Sequence, residues 1–247
     1  MSISVFDLFT IGIGPSSSHT VGPMRAARLF VESLESCDRL QQVVALTVQL
    51  YGSLGATGRG HGTHRAVVLG LEGERPETVN IDGITDRIEK MCSMGQLCLF
   101  GKQVISFDIK EDLVFEKRES LPAHPNGMKF SAFDTDGDLM EQRIFYSVGG
   151  GFVVTEDQQG KPVIQEDSTE LPFPFDTGAE LLNQCETNGI PISEVMLRNE
   201  QVWKNEAQIT EGLLDIWKAM QECVNNGCKN TGVLPGLKVK RRAAELH

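Results

Sequence analysis

The sequence has neither a long hydrophobic run nor an excess of positive charge. No apolar stretch reaches the ~18 residues of a membrane-spanning helix. The 247 residues carry 23 Lys and Arg against 34 Asp and Glu, a formal net charge of −11, whereas nucleic acids and anionic membranes are bound by basic surfaces. The N-terminus, MSISVFDLFTIGIG, lacks the basic segment of a secretory signal. We therefore expect a cytoplasmic protein that binds neither nucleic acid nor membrane.

The common cofactor and metal motifs are also missing. The six cysteines form no C-x-x-C pair, which excludes a zinc ribbon and a dithiol redox motif. The stretch YGSLGATGRGHGTH contains no G-x-G-x-x-G and no G-K-[ST], and the chain has no G-x-S-x-G. DTDGDL begins like a calcium loop, but Leu139 and Phe145 stand where Gly and Glu are required, so a hairpin turn is the better interpretation.

The first part of the chain mixes helical and strand patterns. Ala27, Phe30, Val31 and Leu34 recur at helical spacing behind Pro23. QQVVALTVQLY predicts a strand, the glycine-rich stretch 52–62 a loop, and THRAVVLGL a short helix. Further strands are predicted at 104–109, 128–134, 140–147 and 152–156. These patterns predict a small α+β domain over residues 1–160, with a mainly antiparallel sheet and packed helices.

The second part is predicted to be helical. Residues 161–176 are charged and contain prolines without periodicity, which indicates a linker. One helix face is formed by Ile209, Leu213, Ile216, Trp217, Met220 and Val224. No strand pattern follows about residue 165. We interpret 177–247 as the truncated beginning of an all-α domain.

Four polar clusters stand beside glycine or proline and contain four of the five histidines. Histidine can act as a base or an acid near neutral pH. Ser, Asn and Gly also favour turns and helix caps for local reasons, so a structural role stays open. The stretch PSSSHT precedes a predicted helix, where hydroxyl and N–H groups can cradle a carboxylate or phosphate. The clusters are Ser16-Ser17-Ser18-His19-Thr20, His61 with Thr63 and His64, His124 with Asn126, and Ser147.

Six segments, in order along the whole chain, carry a family resemblance. IGPSSSHTVGP, YGSL, TGRGHGT, PAHPNGM, YSVGGGF and TGVLPGLKVKRRA resemble the bacterial iron–sulfur (type 2) L-serine dehydratases, also called L-serine deaminases. The resemblance implies an α+β domain before a larger all-helical catalytic domain. It also implies conversion of L-serine to pyruvate and ammonia without pyridoxal phosphate, in serine catabolism that feeds gluconeogenesis.

The resemblance further implies a 4Fe–4S cluster with one iron open to substrate. Three cysteines in the later part of the family's chain hold that cluster, and none of the six cysteines here matches them. We therefore expect the cluster ligands beyond residue 247, no metal ligand in this chain, and no activity from this chain alone. A homo-oligomer is expected for the full-length protein.

Site residues follow from the same resemblance. His61, in GHGT, is implied as the catalytic base, and His64 stands where the family usually has an acidic residue. The substrate-binding residues implied are Ser16, Ser17, Ser18, His19, Thr20, Thr63, His124, Asn126 and Ser147. The alternative to an enzyme is a non-catalytic module that binds an amino acid or drives oligomerisation.

Overall fold

The protein is represented by a computed structural model that describes residues 3–156, 162–163, 169–234 and 238–247. The chain folds into two compact units. The α+β unit comprises Ile11–Ile164 and Val233–Val239, and the helical unit comprises Met1–Thr10, Gln165–Gly232 and Lys240–His247. The sequence-based boundaries at 160 and 176 stay a prediction, and residues 161 and 164–168 of the predicted linker lie outside the described residues.

The described residues form helices and strands in the first part of the chain and helices in the second. The helices are α1 (Val5–Leu8), α2 (Gly22–Ser36), α3 (Gly52–His61), α4 (Thr63–Leu71), α5 (Ile84–Met94), α6 (Gly178–Asn188), α7 (Ile192–Glu200), α8 (Glu206–Lys229) and α9 (Ala243–Leu246). The strands are β1 (Ala45–Tyr51), β2 (Gln96–Leu99), β3 (Gln103–Ser106), β4 (Leu113–Glu116), β5 (Gly127–Phe133), β6 (Leu139–Gly149), β7 (Phe152–Glu156) and β8 (Pro162–Val163).

The main sheet of the α+β unit has the strand order β4-β1-β5-β6-β7-β8. The β1–β4 pair is parallel and the other pairs are antiparallel, with Val48 opposite Phe130 across β1 and β5. Strands β2 and β3 form a separate antiparallel hairpin. The predicted α+β fold with a mainly antiparallel sheet is therefore confirmed.

The core of this unit lies between the sheet and helices α2 and α4. Strand β1 turns Leu46, Val48 and Leu50 inward at alternate positions. Helix α2 has Pro23 in its first turn and buries Phe30 with the other apolar residues of the predicted helical face. Apolar burial of this kind is the main stabilising contribution to the unit.

The predicted glycine-rich loop at 52–62 is wrong, because residues 52–61 form helix α3. The glycines allow this helix to lie directly against backbone. A Cβ at Gly55 would collide with the carbonyl oxygen of Glu116 and would lie 2.7 Å from that of Leu50. The structure also contains α5, β2 and β4, which the sequence patterns did not predict.

The helical unit uses side-chain caps at three helix starts. Ser4, Thr177 and Asn205 each accept a hydrogen bond from the backbone N–H three or two residues ahead. The buried Glu200 carboxylate accepts hydrogen bonds from Ser4 Oγ at 2.8 Å and from the Val5 backbone N–H at 2.6 Å. These bonds attach α1 to the end of α7, although nearly the whole chain separates them.

The helix predicted around 209–224 is confirmed as α8. Its apolar face differs from that of α2, since Ile209 is buried while Trp217 is 56% exposed and Val224 63% exposed. Within the described residues, no helix combines the length and the hydropathy that a membrane span requires.

Candidate active site

The serine-rich stretch forms a wide turn at the entrance to α2. Ser17–Val21 is one turn of π-helix that continues directly into the α-helix. Such turns occur frequently at functional sites. The buried Thr20 hydroxyl lies 2.6 Å from the Ile13 carbonyl oxygen and 2.5 Å from that of Ser16, to which it can donate. Thr20 therefore holds the turn in shape.

His19 lies within a chain of hydroxyl groups. Its Nδ1 is 2.9 Å from Ser18 Oγ, which is 3.2 Å from Ser16 Oγ. Its Nε2 is 3.1 Å from the hydroxyl of Ser53, at the start of α3. Burial lowers the pKa of His19 below its usual range, and the neighbouring His61 adds to the shift. His19 is therefore a neutral imidazole at pH 7.

A sharp break between two helices places His61 and Thr63 beside His19. Gly62 adopts the left-handed conformation, with φ of 80°, between the end of α3 and the start of α4. The His61 and His19 ring centroids are 4.7 Å apart. The buried Thr63 hydroxyl donates to the His19 carbonyl oxygen at 2.6 Å. The Ser16–Thr20 cluster is therefore in contact with His61 and Thr63 of the second predicted cluster.

The third cluster is connected to the same helix. The Ser53 backbone N–H donates to the Pro125 carbonyl oxygen at 2.8 Å, which attaches the His124 turn to the first turn of α3. In that turn, the Asn126 backbone N–H donates to His124 Nδ1 at 3.1 Å. The His61 cluster, at the end of α3, and the His124 cluster, bonded to its first turn, are therefore both held by this helix.

Ser147, on β6, lies beneath the π-turn next to Asn126. The Asn126 side-chain amide donates to the Ser147 carbonyl oxygen at 3.0 Å, and the Ser147 backbone N–H donates to the Asn126 carbonyl oxygen at 3.0 Å. A Cβ at Gly22 would lie 2.8 Å from Ser147 Cβ and would collide with its hydroxyl. Ser147 Oγ and Asn126 Oδ1 are buried and have no partner in the described part of the chain.

His64 has different surroundings from the histidines His19, His61 and His124. Its ring meets the edge of the Phe115 ring at a centroid distance of 6.3 Å. Burial, with Arg65 and Arg59 nearby, lowers the pKa of His64 to about 4. Its Nδ1 is buried and finds no hydrogen-bond partner among residues 3–156, 162–163, 169–234 and 238–247.

Sequence reasoning missed Ser53 as part of this arrangement. Ser53, Thr57 and His61 recur every four residues and share one face of α3. The Thr57 hydroxyl donates to the Ser53 carbonyl oxygen at 2.8 Å. That spacing was visible in the sequence, but it has meaning only once the glycine-rich stretch is known to be helical.

The comparisons with known proteins show the family of the chain. The family model for the serine dehydratase beta chain matches residues 4–158, which cover the π-turn, α3 and the His124 turn. The chain belongs to the serine dehydratase beta chain family. This confirms the resemblance found in the sequence.

Several curated relatives match this chain over nearly its whole length. An L-serine dehydratase of Streptomyces coelicolor is 53% identical over 245 residues, which are 99% of this chain and 54% of that protein. L-serine dehydratase TdcG of Escherichia coli is 42% identical, over 99% of this chain and 53% of its own length. An L-serine dehydratase of Mycobacterium tuberculosis is 44% identical, over 98% and 52% respectively. The chain spans about half the length of these relatives.

The residues that the structure describes do not form a metal site. They contain no group of three or more His, Cys, Asp or Glu side chains that could hold a metal ion. All six cysteines are free, and Cys37, Cys92 and Cys223 are exposed. The donor set for an iron–sulfur cluster is therefore not found in these residues.

Proposed function

We propose that this chain supplies the base and the substrate-binding groups of an L-serine dehydratase. The reaction converts L-serine to pyruvate and ammonia without pyridoxal phosphate. The observation that carries the proposal is the close approach of His61 to the His19–serine chain, at a ring distance of 4.7 Å, within the region that matches the family.

The chemistry requires a base at Cα. When His61 Nε2 takes the Cα proton, the C–H electron pair forms the Cα–Cβ double bond and the β-hydroxyl leaves as hydroxide. The proton on His61 passes to this hydroxide, which becomes water, and the histidine returns to its neutral form. The product, aminoacrylate, tautomerises to an imine, and water hydrolyses the imine to pyruvate and ammonia. A positioned base contributes about 10²- to 10⁴-fold to such a proton transfer.

The geometry of His61 fits a base. Its Nδ1 lies 3.0 Å from the Thr57 carbonyl oxygen. A carbonyl oxygen can only accept, so Nδ1 carries the hydrogen and Nε2 carries the lone pair. Nε2 has no protein partner in the described residues, which leaves the lone pair available to a substrate.

The π-turn supplies hydroxyl groups for the substrate. We assign carboxylate binding to Ser16–Ser18 and His19, at the N-terminal entrance to α2, where N–H groups and the helix dipole favour an anion. The hydroxyls of Thr20 and Thr63 are used by backbone carbonyls, so their contribution to binding is to hold the turn. Asn126 and Ser147 keep buried oxygens that the described residues do not satisfy, which favours a polar ligand or water beside them.

The remaining parts of the proposal concern the full-length protein. We propose that a 4Fe–4S cluster is held by cysteines in a part corresponding to the other half of the relatives, where it would act as a Lewis acid toward the substrate. The enzyme would act as a cytoplasmic homo-oligomer in serine catabolism that feeds gluconeogenesis.

The test compares two proteins, a full-length enzyme of the relatives' length that begins with this chain and the 247-residue chain alone. The 2-oxo acid product, pyruvate from L-serine and 2-oxobutanoate from L-threonine, is followed with a coupled dehydrogenase. We expect serine-dependent pyruvate and visible iron–sulfur absorbance only from the full-length enzyme. Pyruvate from the shorter chain would contradict the mechanism. A full-length protein that binds serine calorimetrically but never releases pyruvate would favour the non-catalytic module.

A further inference from the structure

Two histidines of the site are held by the main chain in opposite ways. His61 Nδ1 faces the Thr57 carbonyl oxygen at 3.0 Å, whereas His124 Nδ1 faces the Asn126 backbone N–H at 3.1 Å. An N–H can only donate, so His124 Nδ1 must carry a lone pair. In the neutral ring the hydrogen then sits on Nε2. His61 is therefore fixed with a bare Nε2 and His124 with a protonated Nε2.

We infer that His124 is the hydrogen-bond donor of the site, acting through Nε2–H on an oxygen of the substrate that carries or gains negative charge. This inference rests on the proposed function, in which His61 Nε2 is the proton acceptor. It specifies which ring nitrogen acts and how. His61 Nε2 accepts a proton from the substrate, and His124 Nε2–H donates a hydrogen bond to the substrate.

The two rings are connected through α3. The His124 turn is attached to the Ser53 backbone N–H through the Pro125 carbonyl, at 2.8 Å. The Ser53 hydroxyl lies 3.1 Å from His19 Nε2, and the His19 ring lies 4.7 Å from that of His61. His19 thus spans the space between the two ends of this helix. Across the described residues, neither His61 Nε2 nor His124 Nε2 has a hydrogen-bond partner.

His124 acts as a hydrogen-bond donor through Nε2–H. A proton on Nδ1 would place a second N–H against the Asn126 N–H and break that hydrogen bond. The ring therefore transfers no proton, and its contribution is a hydrogen bond to developing charge. Hydrogen bonds of this type are strongest where the acceptor is ionised.

The first experiment measures the tautomers directly in this chain. Long-range ¹H–¹⁵N correlation spectra of ¹⁵N-histidine-labelled protein distinguish protonated from bare ring nitrogens. His61→Gln and His124→Gln variants assign the two signals, and the exposed terminal His247 supplies the pattern of a free ring. We expect His61 as the Nδ1–H tautomer and His124 as the Nε2–H tautomer. The same tautomer in both rings, or free-ring averaging at His124, would overturn the inference.

The second experiment uses a matched pair of variants in the full-length enzyme. His124→Asn keeps an acceptor near the Nδ1 position and loses the donor, whereas His124→Gln places an amide donor near the Nε2 position and loses the acceptor. We expect His124→Asn to have a kcat/KM lower than that of His124→Gln by about tenfold or more, although it keeps the turn bond and the higher melting temperature. Equal values, or the reverse order, would contradict a donor role.

These experiments separate the inference from the proposed function. If the full-length protein makes no pyruvate but the two rings show opposite tautomers, the function is wrong and the arrangement of donor and acceptor stands. If pyruvate forms but the tautomers agree with each other, the function stands and the donor role of His124 is wrong.

Discussion

The α+β unit and the helical unit place their apolar side chains differently. In the α+β unit, α2 and β1 bury large side chains such as Phe30 and Leu50 completely. In the helical unit, Val195 and Ile209 are the only apolar residues buried among those the structure describes. Helix α8 instead exposes Trp217 and Val224, which share a face with Ile209.

This difference shows which unit can hold a precise site. A histidine cluster needs neighbours whose positions are fixed by packing. The π-turn, α3 and the His124 turn all belong to the unit with the closed core. The helical unit has well-capped helices, but caps fix where a helix starts and do not bury its apolar face.

Phe30→Ala tests the closed core and should have the largest effect on stability. The Phe30 ring is fully buried and stacks on Phe130 at a centroid distance of 5.4 Å. We expect a loss of about 3–5 kcal/mol in the free energy of unfolding of the α+β unit. Urea denaturation of this chain measures it. Leu29→Ala, on the same helix at 45% exposure, is the control and should change little. A loss below about 1 kcal/mol for Phe30→Ala would show that the core is not closed.

His64 should make the α+β unit sensitive to acid. Its folded-state pKa, about 4, lies below the ordinary value, so the unfolded chain binds the proton first as pH falls. Stability is therefore full above about pH 6.5 and declines by a few kcal/mol as the pH falls toward 4. His64→Gln should remove this part of the decline, and His247→Gln should leave it unchanged. Equal acid sensitivity in wild type and His64→Gln would contradict the assignment.

Gly70→Ala tests the close approach of α4 to α2. A Cβ at Gly70 would collide with the Met24 carbonyl oxygen and lie 2.8 Å from Ala27 Cβ. We expect a loss of about 1–3 kcal/mol from overpacking. The matched change in the helical unit is Gly178→Ala, where a Cβ meets no atom within 4 Å. It should be neutral or stabilising by up to about 1 kcal/mol. A neutral Gly70→Ala would mean that the two helices can separate freely.

Trp217→Gln should have the smallest effect on stability. Its side chain is 56% exposed on α8, so its replacement in this chain should change the free energy of unfolding by less than about 0.5 kcal/mol. The melting temperature of the chain is a sufficient measure. A large loss would show that the exposed face of α8 is covered in solution and would remove the contrast between the two units.

Local composition and spacing predicted several elements. The 3.6-residue period located α2 and α8. The content of Val, Leu, β-branched and aromatic residues located β1, β5 and β6. Helix α3 was missed because its glycine content suggested a loop. Gly55 is needed there because the helix lies against the Glu116 backbone, a tertiary contact that no local pattern reveals. The contact between Ser4 and Glu200 was missed for the same reason, since 196 positions separate the partners.

The candidate site was likewise predictable from the sequence only in part. The histidine and serine clusters were visible in the sequence because they combine titratable and hydroxyl side chains with turn residues. Their assembly depends on long-range contacts, such as Thr63 with the His19 carbonyl and Ser53 with the His19 ring. Ser53 and the tautomers of His61 and His124 are set by α3 and by backbone groups, so they follow only from the fold.

The most direct test of the account is the kcat of His61→Ala in the full-length enzyme with L-serine. We predict a fall in kcat of about 100-fold or more, because a positioned base is lost. The melting temperature should change little, because the ring loses only the Nδ1 hydrogen bond to the Thr57 carbonyl oxygen and its contact with His19. The visible absorbance of the proposed cluster should stay at its wild-type value. A kcat within about threefold of wild type would contradict the assignment of His61 as the base.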